Sequence, residues 1–260
     1  MTGPVTGAGE WLRSSPGQPP APVRIVCFAH AGGNASSFLQ WQPALAGEAE
    51  LIAVCPPGKA QRAREPRLDL AALLAGAAGA LVDSIATDRR PVYLFGHSFG
   101  ALAAFEVARR LTGQPELRHL VLSGLGAPSL LPTPRVRKLA GLDPAEFADE
   151  LAFFGGVPPE VLAEQELREF LLPGVQADFK QAAEYRYYPA DRLRLDASLI
   201  NGRQDPHVSG GQLAGWRDEF VEPPAEHWAD GGHFYFEDHP AAITDLLLAV
   251  VRADQHVELI

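Results

Sequence analysis

The sequence is short of cysteine, of positive charge and of long apolar runs, and each shortage removes a class of protein. Its two cysteines, Cys27 and Cys55, lie inside apolar strand-like stretches, where a thiol behaves as a small buried hydrophobe. Two such residues make no disulfide framework, so a reducing, cytoplasmic compartment is expected. Against 22 Lys and Arg stand 32 Asp and Glu, a formal charge of -10. With no basic tract to offset it, that balance argues against broad binding to nucleic acid or anionic membrane. No apolar stretch approaches the roughly 20 residues needed to cross a bilayer, so the chain reads as not membrane-spanning. Residues 1–21 lack the cationic start and apolar core of a signal peptide. Rich in Gly, Pro and Ser, they read as a loose leader that only Trp11 and Leu12 could anchor. Internal repeats are absent, and so are low-complexity tracts beyond the leader.

What is present fits one large α/β domain: 260 residues, 47% hydrophobic and 21% charged. Val23–Phe28 is a continuous apolar run feeding a glycine-rich turn, Ala29–Asn34, after which Asn34 or Ser36 would cap a helix to about Ala46. An apolar strand over Leu51–Cys55 ends in a Pro-Pro-Gly turn. Asp69–Ile85 reads as a long helix, Pro91–Phe95 as a strand, Ala101–Leu111 as a helix and Leu120–Leu122 as a strand. Strands alternating with helices predict a parallel sheet covered on both faces, which is why the strands read as unbroken apolar runs.

That rhythm stops after Ser123. From about residue 128 to 189 there are helix-like pieces, Ala145–Phe154 and Glu160–Leu172, each introduced by prolines suited to a helix start. Phe147, Phe153, Phe154, Phe170, Phe179, Tyr185, Tyr187 and Tyr188 crowd into this insertion. They serve either to pack it onto the domain or to line an apolar channel beneath a lid. The sheet resumes with Ala197–Ile200 and a weaker strand over Glu226–Ala229, and an amphipathic helix follows Pro240.

Gly96-His97-Ser98-Phe99-Gly100, between a strand and a helix, has the pattern of a sharp turn that presents a lone serine hydroxyl at its tip. Ser98 is the candidate nucleophile. An unassisted serine is a poor one and needs a base and an acid, which in this fold order follow it in sequence. Of eight histidines, His30 and His97 are too close to the first turn and the elbow, and His119 precedes its strand at the far sheet edge. His207, His227, His239 and His256 lack a preceding glycine turn, whereas His233 follows Gly231-Gly232 just beyond a strand. It is the candidate base. Asp205, in the loop after the Ala197 strand, is the candidate acid; Asp230 is the rival, too near His233 in sequence to approach its ring from behind. Two backbone donors for an oxyanion fall to Phe99 and Ala31.

These segments, together with Glu10-Trp11-Leu12, Cys27–Gly33, Pro57-Gly58-Lys59 through Arg62 to Glu65-Pro66, Ala177-Asp178, Glu184-Tyr185, Asn201-Gly202 and Gly231–Phe234, resemble the stand-alone, type II thioesterases of polyketide and nonribosomal peptide assembly lines. The resemblance runs from Trp11 to the last helix. It implies an α/β-hydrolase fold with a helical lid. The implied activity is hydrolysis of acyl groups from the phosphopantetheine arm of acyl or peptidyl carrier proteins, clearing stalled or misloaded chains without metal or redox cofactor. Ser98, Asp205 and His233 would form the triad, and Ala31 and Phe99 the oxyanion hole. The chain departs from the family at Ala29, where Pro is usual, at Lys59, where Arg is usual, and at Phe99, where Met or Leu is commoner. The Phe99 ring is expected to narrow the acyl pocket.

Two other readings stay open: an esterase or lipase on free esters, and a non-catalytic partner that only binds carriers. Two basic clusters, Lys59 with Arg62, Arg64 and Arg67, and Arg135 with Arg137 and Lys138, are candidates for meeting an acidic carrier, or else ordinary ion pairs such as Arg62 with Glu65.

Overall fold

A computed structural model describes residues 8–14, 21–154, 157 and 159–258. Among the described residues seven strands form one sheet in the order β1-β3-β2-β4-β5-β6-β7: β1 Leu12–Ser14, β2 Val23–Phe28, β3 Ala49–Val54, β4 Val92–His97, β5 Leu117–Ser123, β6 Asp196–Gly202 and β7 Ala225–Ala229. All neighbours run parallel except β1, which is antiparallel to β3. Alternate residues of each central strand go to opposite faces. Val26, Phe28, Leu94 and Leu122 pack under the helices Leu70–Thr87 and Phe99–Arg110. Ile25, Cys27, Phe95 and Val121 pack against Phe38, Trp41 and the closing helix Ala241–Glu258. Both faces are therefore core, as the unbroken apolar runs require.

The chain leaves β2 toward β3 on one side and returns to β4 on the other, so the carboxyl ends of β2 and β4 diverge at a topological switch. A crevice opens there. It brings the turn after β2 beside the elbow after β4, with Phe28 in register with Gly96.

Several expectations change in detail. The leader is held over part of its length: Ala8–Trp11 is helical, β1 pairs with β3, and the Cys55 N–H donates to the Trp11 carbonyl at 2.7 Å. The helix expected up to Ala46 is two short ones, Ser36–Leu39 and Gln42–Leu45. Leu70–Thr87 is, by length and composition, apolar enough to cross a membrane. It corrects the expectation that no such stretch exists, but Leu73, Leu74, Ala77, Leu81 and Ile85 are buried in the core.

Among the described residues the insertion holds four α-helices: Pro134–Gly141, Pro144–Phe154, Pro159–Ala163 and Gln165–Glu184. The helix expected over Glu160–Leu172 is broken at Glu164 and then runs through Pro173 to Glu184. An interior proline costs about 3 kcal/mol. Leu172, Val175 and Phe179 bury against Leu139, Phe147 and Leu151, and each such side chain contributes about 1.5–3 kcal/mol, which outweighs it. Of the aromatics, Phe147, Phe179 and Tyr185 are buried, whereas Phe170 and Tyr188 are 81% and 72% exposed. The side chains of Phe153 and Phe154 lie outside the described residues. Tyr185 donates its hydroxyl to Glu106 on the elbow helix at 2.9 Å, fastening the end of the insertion.

His119 lies within β5 and not before it, its Nε2 3.0 Å from the Ser198 hydroxyl. Burial holds its pKa down at about 4 from an ordinary 6.5, against the pull of Asp196 and Asp254. The unfolded chain therefore binds the extra proton between those two values, so this contribution to stability is complete above pH 6.5 and is lost as the pH falls toward 4. Chemical denaturation of His119→Gln should show a shallower loss of stability between pH 6.5 and 5, by up to about 1.4 kcal/mol per pH unit. Parallel pH profiles for parent and variant would contradict a neutral, buried ring.

Candidate active site

Ser98 occupies the tip between β4 and the helix Phe99–Arg110 with φ +54 and ψ -118, a conformation that L residues avoid. Such strain, of order 1–3 kcal/mol, persists only where the surroundings over-determine it. The Ser98 N–H donates to the Ser123 carbonyl at 2.8 Å, and the Ser98 carbonyl accepts from Ala101 at 2.9 Å. The elbow glycines are there for close approach: a Cβ on Gly100 would stand 2.0 Å from the Phe28 carbonyl oxygen, and one on Gly96 2.2 Å from that of Gly100.

At the end of β6 and of β7 two loops converge. Gln204 N–H donates to the Gly231 carbonyl at 3.0 Å, and its side chain accepts from Gly231 N–H at 2.6 Å. Gly202 is needed because a Cβ there would meet the Gly232 carbonyl oxygen at 2.1 Å. The outcome is a 2.7 Å contact between His233 Nδ1 and Asp205 Oδ2, with the two side chains 4% and 0% exposed. The other Asp205 oxygen accepts from the His207 N–H at 2.7 Å. Asp230, the rival, points to solvent and lies 3.6 Å from Arg203.

The histidines set aside in sequence are nonetheless neighbours. The His97 ring is 4.7 Å from that of His233, and the His207 ring meets it edge-on at 5.1 Å. His97 Nδ1 lies 2.8 Å from the Ser123 hydroxyl, which in turn lies 2.9 Å from the Tyr235 hydroxyl. Burial holds His97 well below the usual imidazole range and His30 down to about 4, with the charge of His233 as the next cause for each. Both are neutral at pH 7, and neither has a carboxylate on its ring as His233 does. His227 is half-buried on β7 and His239 exposed. The His256 side chain lies outside the described residues.

Ser98, Ala31, Phe99 and Phe234 line one apolar cavity of about 640 Å³ including its mouth, whose opposite wall is built by Val136, Leu151, Val157, Val175 and Phe179 of the insertion. Phe99 also lines a second apolar hollow behind it, with Phe28, Val54 and Leu73. A hydroxyl, an imidazole on a carboxylate, and backbone amides at a helix start and in a turn are groups that acyl transfer can use.

A sequence profile described as the thioesterase domain matches residues 23–250. The chain belongs to the thioesterase family. The thioesterase is 34% identical over 233 residues to the thioesterase PikA5 of Streptomyces venezuelae, covering 89% of this chain and 82% of PikA5. It superposes on the type II thioesterase BorB of the borrelidin biosynthetic cluster with TM-score 0.80 at 31% identity, over 96% of this chain and 99% of BorB. For YbtT, a type II thioesterase of the yersiniabactin pathway, the TM-score is 0.79 at 29% identity, over 94% and 98%. The resemblance read from the motifs is thus the family found: a type II thioesterase, a hydrolase of thioesters on an α/β-hydrolase fold.

The basic clusters are largely spoken for. In the thioesterase Arg62 pairs with Glu65, Lys59 and Arg67 both pair with Asp178, and Arg135 and Lys138 lean on Glu150, while Arg64 and Arg137 are exposed. The sequence marked Asp178 only as part of the family resemblance, with no role in the site, and did not point to the His207 N–H. The second had a signal, since an Asx turn offers the amide two residues on. Asp178 had one too: a carboxylate between Val175 and Phe179 on an otherwise apolar helix stripe.

Gly100→Ala should cost at least about 2 kcal/mol in urea unfolding, because the obstructing atoms are backbone. Gly141→Ala, where a Cβ meets nothing within 4 Å, should cost far less. Equal losses would show that crowding does not shape the elbow.

Proposed function

We propose that the thioesterase removes acyl groups from the phosphopantetheine arm of acyl or peptidyl carrier proteins, in the cytoplasm and within a polyketide or nonribosomal peptide pathway, by a covalent serine route. The observation that carries this reading is the buried His233–Asp205 contact at 2.7 Å, together with a strained serine that opens on an apolar cavity lined also by Phe234, the residue after His233. Ser98 Oγ attacks the thioester carbonyl carbon while His233 Nε2 takes its proton. Negative charge collects on the former carbonyl oxygen, where the Phe99 and Ala31 amides receive it. The C–S bond then breaks, and His233 returns the proton to the departing thiol. Water next gives a proton to His233 and its oxygen to the acyl carbon, the Ser98 ester bond breaks as His233 returns that proton to Ser98 Oγ, and the acid leaves. Asp205 holds the imidazole tautomer and stabilises the imidazolium.

The acyl chain occupies the cavity, with Val136, Leu151, Val175 and Phe179 as the inner face of a lid spanning about residues 128–189. Phe99 narrows that space beside the nucleophile. Membership of the thioesterase family, and the biosynthetic settings of BorB and YbtT, support a carrier-borne substrate over a free oxygen ester.

Three measurements test this. Ser98→Ala should lower hydrolysis of acyl-pantetheine and acyl-carrier thioesters on the order of 1000-fold or more with the fold intact; turnover near the parent level would end the serine mechanism. Asp205→Asn should lose up to about 10,000-fold and Asp230→Asn little, the reverse ranking moving the acid's role to Asp230. On the parent enzyme, kcat/KM for an acyl-carrier thioester should exceed that for the matched oxygen ester, and preference for the oxygen ester would favour a general esterase.

A further inference from the structure

One carboxylate of the insertion reaches both sides of the oxyanion site. Asp178 lies on the buried face of the helix Gln165–Glu184, its side chain 0% exposed. Its Oδ2 accepts from the Gly32 backbone N–H at 2.8 Å and from Lys59 Nζ at 2.6 Å, and its Oδ1 accepts from Arg67 Nη1 at 2.8 Å. A carboxylate taken out of water keeps its charge only with such partners. Two of those partners lead to the oxyanion donors.

Gly32 is the third residue of the turn His30–Gly33, closed by the Gly33 N–H on the His30 carbonyl at 3.0 Å. Its φ of +80 marks a type II turn, in which the central peptide is rotated by about half a turn from the type I arrangement. That peptide joins Ala31 to Gly32. By holding the Gly32 N–H, Asp178 selects its orientation, while the Ala31 N–H takes no part in closing the turn and Ala31 lines the cavity with Ser98. Lys59, the second partner, stands 5.8 Å from the centre of the Phe99 ring, a cation–π distance. The same stretch of helix is tied down by Arg67 Nη2 on the Gly174 carbonyl at 3.1 Å and by Gln181 Nε2 on the Leu68 carbonyl at 2.5 Å.

We propose that Asp178 is a positioning residue for the oxyanion hole. Seating of the insertion helix sets the Ala31 turn directly and the Phe99 ring through Lys59, so the hole is complete only with that helix in place. This inference rests on the serine reading above.

The test compares Asp178→Asn, Asp178→Glu and Arg67→Met with acyl-pantetheine, counting active sites by titration with a fluorophosphonate. It also measures inhibition by an acyl trifluoromethyl ketone, whose serine adduct places an oxyanion in the hole. Asp178→Asn should lower kcat per titrated site by about 10- to 100-fold with KM little changed, and weaken the ketone by a similar factor. Asp178→Glu, which keeps the charge but moves the acceptor, should show the same coupling to a smaller degree, and it serves if the Asn variant does not fold. Arg67→Met removes a cation from the same carboxylate but leaves the Gly32 bond, and should lose several times less. Unchanged kcat per site, a fall in kcat without loss of ketone affinity, or an equal loss in Arg67→Met would overturn the proposal. So would failure of both Asp178 variants to fold, which would assign the residue to folding alone. If the fluorophosphonate does not label Ser98 in the parent, the serine reading itself fails, and that outcome is visible separately.

Discussion

Three backbones meet at the elbow with no room for a side chain between them. The first residues of the helix Phe99–Arg110 rest on the end of β2, so closely that a methyl on Gly100 would overlap the Phe28 carbonyl. This contact forces the sharp turn, and the turn forces Ser98 into its left-handed conformation. The Phe99–Val107 face of the helix is buried against the sheet, and that apolar burial, several times the strain of one residue, holds it there. The amides of Phe99 and its neighbours are left at an uncapped helix start, where anionic charge is favoured.

The surroundings of the histidine follow from the same packing. Three further rings, His30, His97 and His207, lie around the Asp205–His233 pair, and burial keeps His30 and His97 uncharged. A neutral imidazole near His233 does not oppose a positive charge there, whereas a second imidazolium would. The Ser123 hydroxyl takes up the His97 Nδ1 and is itself bonded to Tyr235, so this ring nitrogen sits in the core with a partner.

The insertion is two things at once. Its outer part, with Leu167, Phe170 and Leu171 exposed, has little hold on the domain. From Leu172 onward the same helix is buried and tied by Asp178, Gln181 and, just past its end, Tyr185, and Pro173 marks the changeover. Val175 and Phe179, which wall the cavity, belong to the held part. That part of the cavity wall is accordingly tied to the domain by buried polar contacts.

Composition and periodicity carried the fold a long way. Continuous apolar strands alternating with helices required a two-faced parallel sheet, and Ser98 with His233 stood out because glycines punctuate the chain beside them. Asn201-Gly202 was legible as a signal but for a different reason: Gly202 ends a strand and makes room for Gly232, which is a contact 30 residues away in sequence. Sequence favoured Asp205 over Asp230 only because Asp230 stands so near His233 along the chain; the sheet order is what brings the Asp205 loop against the His233 ring and leaves Asp230 beside Arg203. Nor could local pattern tell that Lys59 and Arg67 reach a buried carboxylate, because a basic side chain looks the same in sequence whether it meets water or such a partner. Periodicity is a property of neighbours along the chain, and the sequence settled whatever depends on it. The pairing of Asp178 with Gly32, and of every other residue that meets its partner across the crevice, was decided only by tertiary packing.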